Sequence, residues 1–153
     1  MRAKTNPLAS VPYSIAKGVR KNTGVISFNV KFNNHLTRGV EKYTFKRTVW
    51  LLEPEPVSEY VVGSGQYLLG DMKVYVPTLS LEEAINRNEE DDPTPGDAKG
   101  LKDFRSLNGI NGGIDTAADT LEFAGIAYRI LQVFPENIWR NVPNQFKLVL
   151  RRI

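Results

Sequence analysis

Cysteine is absent from the 153 residues. That excludes a disulfide framework, a thiolate metal site and a thiol nucleophile, and is compatible with an intracellular setting. Histidine is nearly absent. His35 is the only one; it sits in a polar Asn-Asn-His turn with no second histidine to share a metal, and reads as structural or solvated. No apolar run is long enough to span a bilayer. The first twenty residues carry early positive charge but no apolar core segment, so a secretory signal is not expected. Acidic residues are missing before Glu41, although Arg2, Lys4, Lys17, Arg20, Lys21, Lys31 and Arg38 all precede it.

That last absence exposes a segregation hidden by the formal net charge of +3. Between positions 82 and 97 the balance reverses. Glu82, Glu83, Glu89, Glu90, Asp91, Asp92 and Asp97 stand against Arg87 alone. The two regions should seek different partners. Arg2, Lys4, Lys17, Arg20 and Lys21 form a candidate partner-binding arm for acidic protein surfaces or phosphates. The acidic residues form a candidate loop of the opposite sign. The plainer reading makes both of them solvated loops.

What is present in quantity is β-strand pattern. Residues 121–133, LEFAGIAYRILQV, read as a tight hairpin turning at Ala124-Gly125, where Gly125 can take positive φ. Beyond the turn Ile126, Tyr128 and Ile130 share one face, and Ala127, Arg129, Leu131 and Val133 the other. Residues 145–151, QFKLVLR, alternate likewise, which predicts a three-stranded antiparallel meander. Residues 25–32 and 43–52 are two more strands. In the second, Tyr43, Phe45, Arg47 and Val49 share one face, and Thr44, Lys46, Thr48 and Trp50 the other. Glu53 to Pro56, EPEP, should stop it. A short strand at 58–62 and another at 72–76 follow.

The remaining segments read differently. Residues 1–22 show no sustained period and form an extended arm, interrupted by Pro7 and Pro12. Residues 23–153 form one β domain with an insertion at 79–119. A short helix begins the insertion, with Ser80 as N-cap and Glu83 completing a capping box. Breakers and charge follow, with turns at Asn108-Gly109 and Asn111-Gly112-Gly113, and the insertion is expected to extend beyond the sheet. The fold class is therefore all-β, a small antiparallel barrel or sandwich.

Chemical motifs are scarce. Glu89, Glu90, Asp91 and Asp92 lack the spaced pattern that wraps calcium. Gly63-x-Gly65-x-x-x-x-Gly70 has the wrong spacing for a dinucleotide fingerprint and leads into a strand. No nucleophile elbow is present. No enzyme, cofactor or metal is expected. Tyr43, Phe45, Lys46, Arg47 and Trp50 have the composition of a single-strand nucleic-acid platform, but their alternation also fits a core.

Three stretches carry a family resemblance: GQYLLGDMKVYVP (65–77), DTLEFAGIAYRILQVFP (119–135) and QFKLVLRRI at 145–153. The chain resembles the head-closure, or stopper, proteins of tailed bacteriophages. The pattern is Gly70-Asp71, a long loop, Asp119, Phe123, Gly125, Ile126, Tyr128-Arg129-Ile130 and the strand at 145–151. The resemblance covers about the second half. It implies a small β-barrel that assembles as a homo-oligomeric ring between portal or adaptor and tail. Such a ring sits in the virion neck, is assembled in the host cytoplasm, closes the channel for double-stranded DNA and offers a tail-docking surface. In such a ring the acidic residues Glu82, Glu83, Glu89, Glu90, Asp91, Asp92 and Asp97 are candidates for a channel-facing loop that repels the passing DNA. No membrane partner is implied. A tail terminator or another head-tail connector is the nearest alternative. A single-stranded nucleic-acid-binding barrel is the alternative of another class.

Overall fold

The computed structural model describes residues 22–34, 38–58, 63, 65–95, 100–107, 111–140 and 142–153. Arg2, Lys4, Lys17, Arg20, Lys21, His35 and Asp97 lie outside the described residues. So do positions 59–62 of the expected strand at 58–62, and the Asn108-Gly109 turn.

Among the described residues seven strands form one antiparallel sheet: β1 (Thr23–Asn34), β2 (Gly39–Trp50), β3 (Glu55–Pro56), β4 (Met72–Pro77), β5 (Thr120–Phe123), β6 (Ile126–Glu136) and β7 (Gln145–Arg152). Their spatial order is β2-β1-β5-β6-β7-β4-β3. The two outermost strands, β2 and β3, are consecutive in the chain. Only residues 51–54 separate them, and four residues span at most about 14 Å. Leu52 N–H donates to Tyr75 O at 2.9 Å, and Val57 N–H donates to Asp71 O at 2.9 Å. The sheet therefore curls until its edges meet, as a barrel does.

Period-two alternation sorts the side chains. Ile26, Phe28, Phe45, Val49, Val74, Val76, Leu121, Ile130, Phe146, Leu148 and Leu150 fill the interior. The turn between β5 and β6 is the one the sequence predicts. Ala124 and Gly125 both have positive φ, 51° and 79°, the pair of values a type I′ turn needs to match strand twist. One face assignment fails. Ile130 pairs with Leu150, but Gln132 pairs with Val149, so Leu131 is a bulge. The extra residue flips the parity, and Val133 joins Tyr128 and Ile130 inside rather than Ala127 and Arg129 outside. Strand β2 does end before EPEP, at Trp50, and the segment then supplies a strand of its own. Glu55 and Pro56 pair with Lys73 and Met72, which an edge position allows because proline lacks only the N–H.

The insertion is the largest correction. Among the described residues it does not extend beyond the sheet; it packs on the barrel. Helix α1 (Thr78–Asn86) buries Thr78, Ser80, Leu81, Ala84 and Ile85. Leu101, in a single 3-10 turn (Leu101–Asp103), and Ile114 join the same core. Gly113 has φ +83°, and a Cβ there would sit 2.5 Å from Ile85 Cδ1 and 3.0 Å from Ser106 O. Its left-handed backbone and its close approach to the Ser106 carbonyl therefore favour glycine at that position. The predicted capping box is absent. Pro77 is the N-cap and no side chain caps the helix. Ser80 is buried within the helix, and its Oγ accepts from Trp50 N–H at 2.7 Å. The first-turn N–H of Thr78 donates instead to Asn144 O at 3.0 Å. Long-range partners have replaced the local one.

Candidate functional site

Among the described residues, three arginine–aspartate pairs fasten loops to the barrel. Arg47 projects from β2 into the interior and is fully buried. A guanidinium has five N–H donors in a fixed fork, and all five are used. Nε donates to Ala84 O at 2.9 Å, and Nη1 to Lys46 O at 3.1 Å. Nη2 donates to Arg87 O at 3.0 Å. The remaining two donate to Asp92 Oδ1 and Oδ2 at 2.5 and 2.6 Å. Arg47 thus satisfies orphan carbonyls at the C-terminal end of α1 and grips the acidic segment behind it. The Phe45 ring lies 5.7 Å from its Cζ. Burial pushes the Asp92 carboxyl up, but the bonds from Arg47 and from Glu89 N–H outweigh it and hold the group below the usual carboxylate range.

Arg105 repeats the arrangement at the end of the insertion. It donates to both oxygens of Asp119, at 2.5 and 3.1 Å, and to Asn29 O at 2.9 Å. Asp119 is 1% exposed, and also accepts from the N–H groups of Asn29 and Asp115. Arg151 completes the set. Its Nε and Nη2 donate to Asp71 at 3.0 and 2.8 Å. Those bonds are the main reason the Asp71 carboxyl lies below its ordinary range, with help from Leu68 N–H. The residues that carry the family resemblance thus have architectural roles. Asp71 and Asp119 anchor loops, Gly125 makes a turn, and Tyr128 and Ile130 fill the interior.

The acidic candidates divide. Glu82 and Glu83 lie exposed on α1, and Glu89, Glu90 and Asp91 are exposed beyond it. Asp92 is turned inward to Arg47. Glu89 approaches the same arginine at 3.8 Å and accepts from Arg87 Nε at 3.1 Å. The proposed single-strand platform divides as well. Phe45 and Arg47 are in the core. Tyr43 packs against that core and donates to Glu41, a bond that raises the Tyr43 phenol above its ordinary range. Only Lys46 and half-buried Trp50 face outward. Among the described residues, no group of three or more His, Asp or Glu side chains is arranged to hold a metal. No helix among them is long and apolar enough to cross a membrane.

Two exposed apolar surfaces were not foreseen. The first is the tip of the β6–β7 hairpin. Trp139 and Val142 exchange backbone hydrogen bonds at 2.9 Å across a tight turn, with Arg140 at φ 51°. Ile138, Trp139 and Val142 are 58%, 41% and 54% exposed. Glu136 Oε1, at the base of the tip, is buried without a hydrogen-bond partner. The second surface lies at the other end of β7. There Leu68 and Leu69 flank a groove of about 550 Å³, with Met72, Tyr128 and Arg152 on its walls. Leu69 is 84% exposed. The sequence signal for both was apolar residues in turns, as in PENIWRNV and QYLLGD, where solvent-facing chemistry is the rule.

No family model matches the chain, and no curated protein or solved structure shows significant similarity to it.

Proposed function

We propose that this chain is a structural subunit of a tailed-bacteriophage neck. It acts by assembling into a ring between portal or adaptor and tail, closing the DNA channel and presenting a tail-docking surface. The observation that carries the assembly part is the placement of two unlike apolar surfaces at opposite ends of β7. The tip follows Glu136, and the groove lies beside Arg151 and Arg152. Seven residue steps of strand put them about 23 Å apart, so one chain cannot bring them together. A protruding apolar knob and a groove elsewhere on the same molecule form a heterologous contact, which closes into a ring when the rotation closes.

The place of that ring in a virion neck rests on the family resemblance. A tail terminator or another head-tail connector would use the same kind of contact. The single-strand-binding reading loses its platform, because Phe45 and Arg47 are core residues. The proposal makes the chain a virion component, with its own copies, portal or adaptor, and tail proteins as partners. Native mass spectrometry tests it, on the protein alone and then mixed with candidate portal or adaptor rings. The expected result is a closed ring, or a fixed number of copies added to the partner ring. A monomer that ignores those rings would sink the reading.

A further inference from the structure

The outer face of the β1–β2 hairpin carries a charge arrangement that nothing so far explains. Lys31 and Lys42 are direct cross-strand partners. Like charges in that position repel and weaken a hairpin. Lys46 lies two pleats along β2 on the same face, about 13 Å from Lys42 at strand rise. Arg38 sits in the connecting turn. All four cations are exposed, and none forms an ion pair with a carboxylate among the described residues. A groove of about 580 Å³ opens beside Lys31 and Lys42. Asp115 is the carboxylate on its rim, and its Oδ1 already accepts from Ala117 N–H at 2.9 Å.

We propose that this face is a contact for the phosphate backbone of duplex DNA. The charge is complementary, since a duplex carries one negative charge per about 1.7 Å of axis. Several of its phosphates therefore lie within the reach of the four cations. The uncharged neighbours are unsuited to reading bases. Thr44 Oγ1 donates to Asn29 Oδ1 at 2.6 Å, and Asn29 Nδ2 donates to Ala118 O at 2.7 Å, so both are held within the protein. Single strands are gripped by stacking on aromatic rings. The outward aromatic of the hairpin, Trp50, is half-buried at its far end. Charge without stacking or base donors favours a duplex held loosely, without regard to sequence. The inference deepens the neck reading and rests on it for the identity of the DNA. It also reverses one expectation, for it gives the passing duplex a basic hairpin to meet rather than the acidic segment.

The test is fluorescence anisotropy of a labelled 20-base-pair duplex of mixed sequence, titrated with the full chain at several salt concentrations. The parent protein should bind, with affinity falling steeply as salt rises. Lys31→Gln/Lys42→Gln should reduce the slope of log affinity against log salt by about 2, one per lost phosphate contact. Lys46→Gln, tested separately, should reduce it by about 1. Circular dichroism melts of both variants should match or exceed the parent, since repulsion is relieved. Unchanged affinity and slope in both variants would overturn the proposal and assign the lysines to guarding a sheet edge. So would tighter binding of a single strand, or equal competition by poly-L-glutamate, which would mark an acidic protein as the partner. Native mass spectra of the same variants report ring assembly separately, so loss of DNA binding and loss of the ring are distinguishable.

Discussion

At the scale of single residues, Arg47 concentrates the energetics. A charge is carried into an apolar interior only when every donor is met and an opposite charge accompanies it. Asp92 and three backbone carbonyls meet that condition. Arg47→Ala should therefore lower unfolding free energy by about 3–5 kcal/mol. It strands a half-buried carboxylate and unpairs the carbonyls of Ala84 and Arg87. Urea titration followed by tryptophan fluorescence measures the loss, and a change below about 1 kcal/mol would contradict it. Half of this site was legible. The alternation of β2 already put Arg47 on the same face as Phe45 and Val49, and a charge on an apolar face calls for a buried partner. The partner was not legible. Asp92 lies 45 residues away in a run of four acids, and nothing local marks it as the one that turns inward.

Among the elements, hairpins were the most legible, because strand alternation and turn chemistry act over a few residues. The β5–β6 pairing and the late meander follow from them. Features set by distant contacts were not legible. The helix start depends on Asn144 and Trp50 rather than on a local cap. The bulge at Leu131 has no glycine to announce it. The insertion looked like a loop because its buried residues, Leu81, Ala84, Ile85, Leu101 and Ile114, are spread thinly through polar sequence. The β6–β7 tip belongs to this scale too. Ile138 and Trp139 stand outside the core, so Ile138→Ser/Trp139→Ser should keep the thermal melt within a few degrees of the parent. The same variant should remain monomeric by native mass spectrometry, whereas the proposal expects rings from the parent. A variant that still assembles would detach the tip from the contact.

For the whole molecule, the Asp71–Arg151 and Asp92–Arg47 pairs set the response to acid. Asp71 and Asp92 have folded-state pKa values held below the ordinary carboxylate value. A depressed value contributes stability above the unfolded pKa and loses it as pH falls through the folded one. Stability should thus be nearly level from pH 7 to 5 and fall below about pH 4, where unfolded aspartate titrates. Urea midpoints across that range check the shape, and Asp71→Asn should flatten the acid limb. The order of the strands has a further consequence, in time rather than in energy. β7 lies between β6 and β4, and β4 carries β3. During synthesis the β1–β2 hairpin is complete by residue 50, but the barrel cannot close until residue 152 has left the ribosome. At 5–20 residues per second that interval is about 5–20 s. Throughout it the apolar face of the first hairpin is covered at most in part, by α1, the period in which a nascent chain most needs a chaperone.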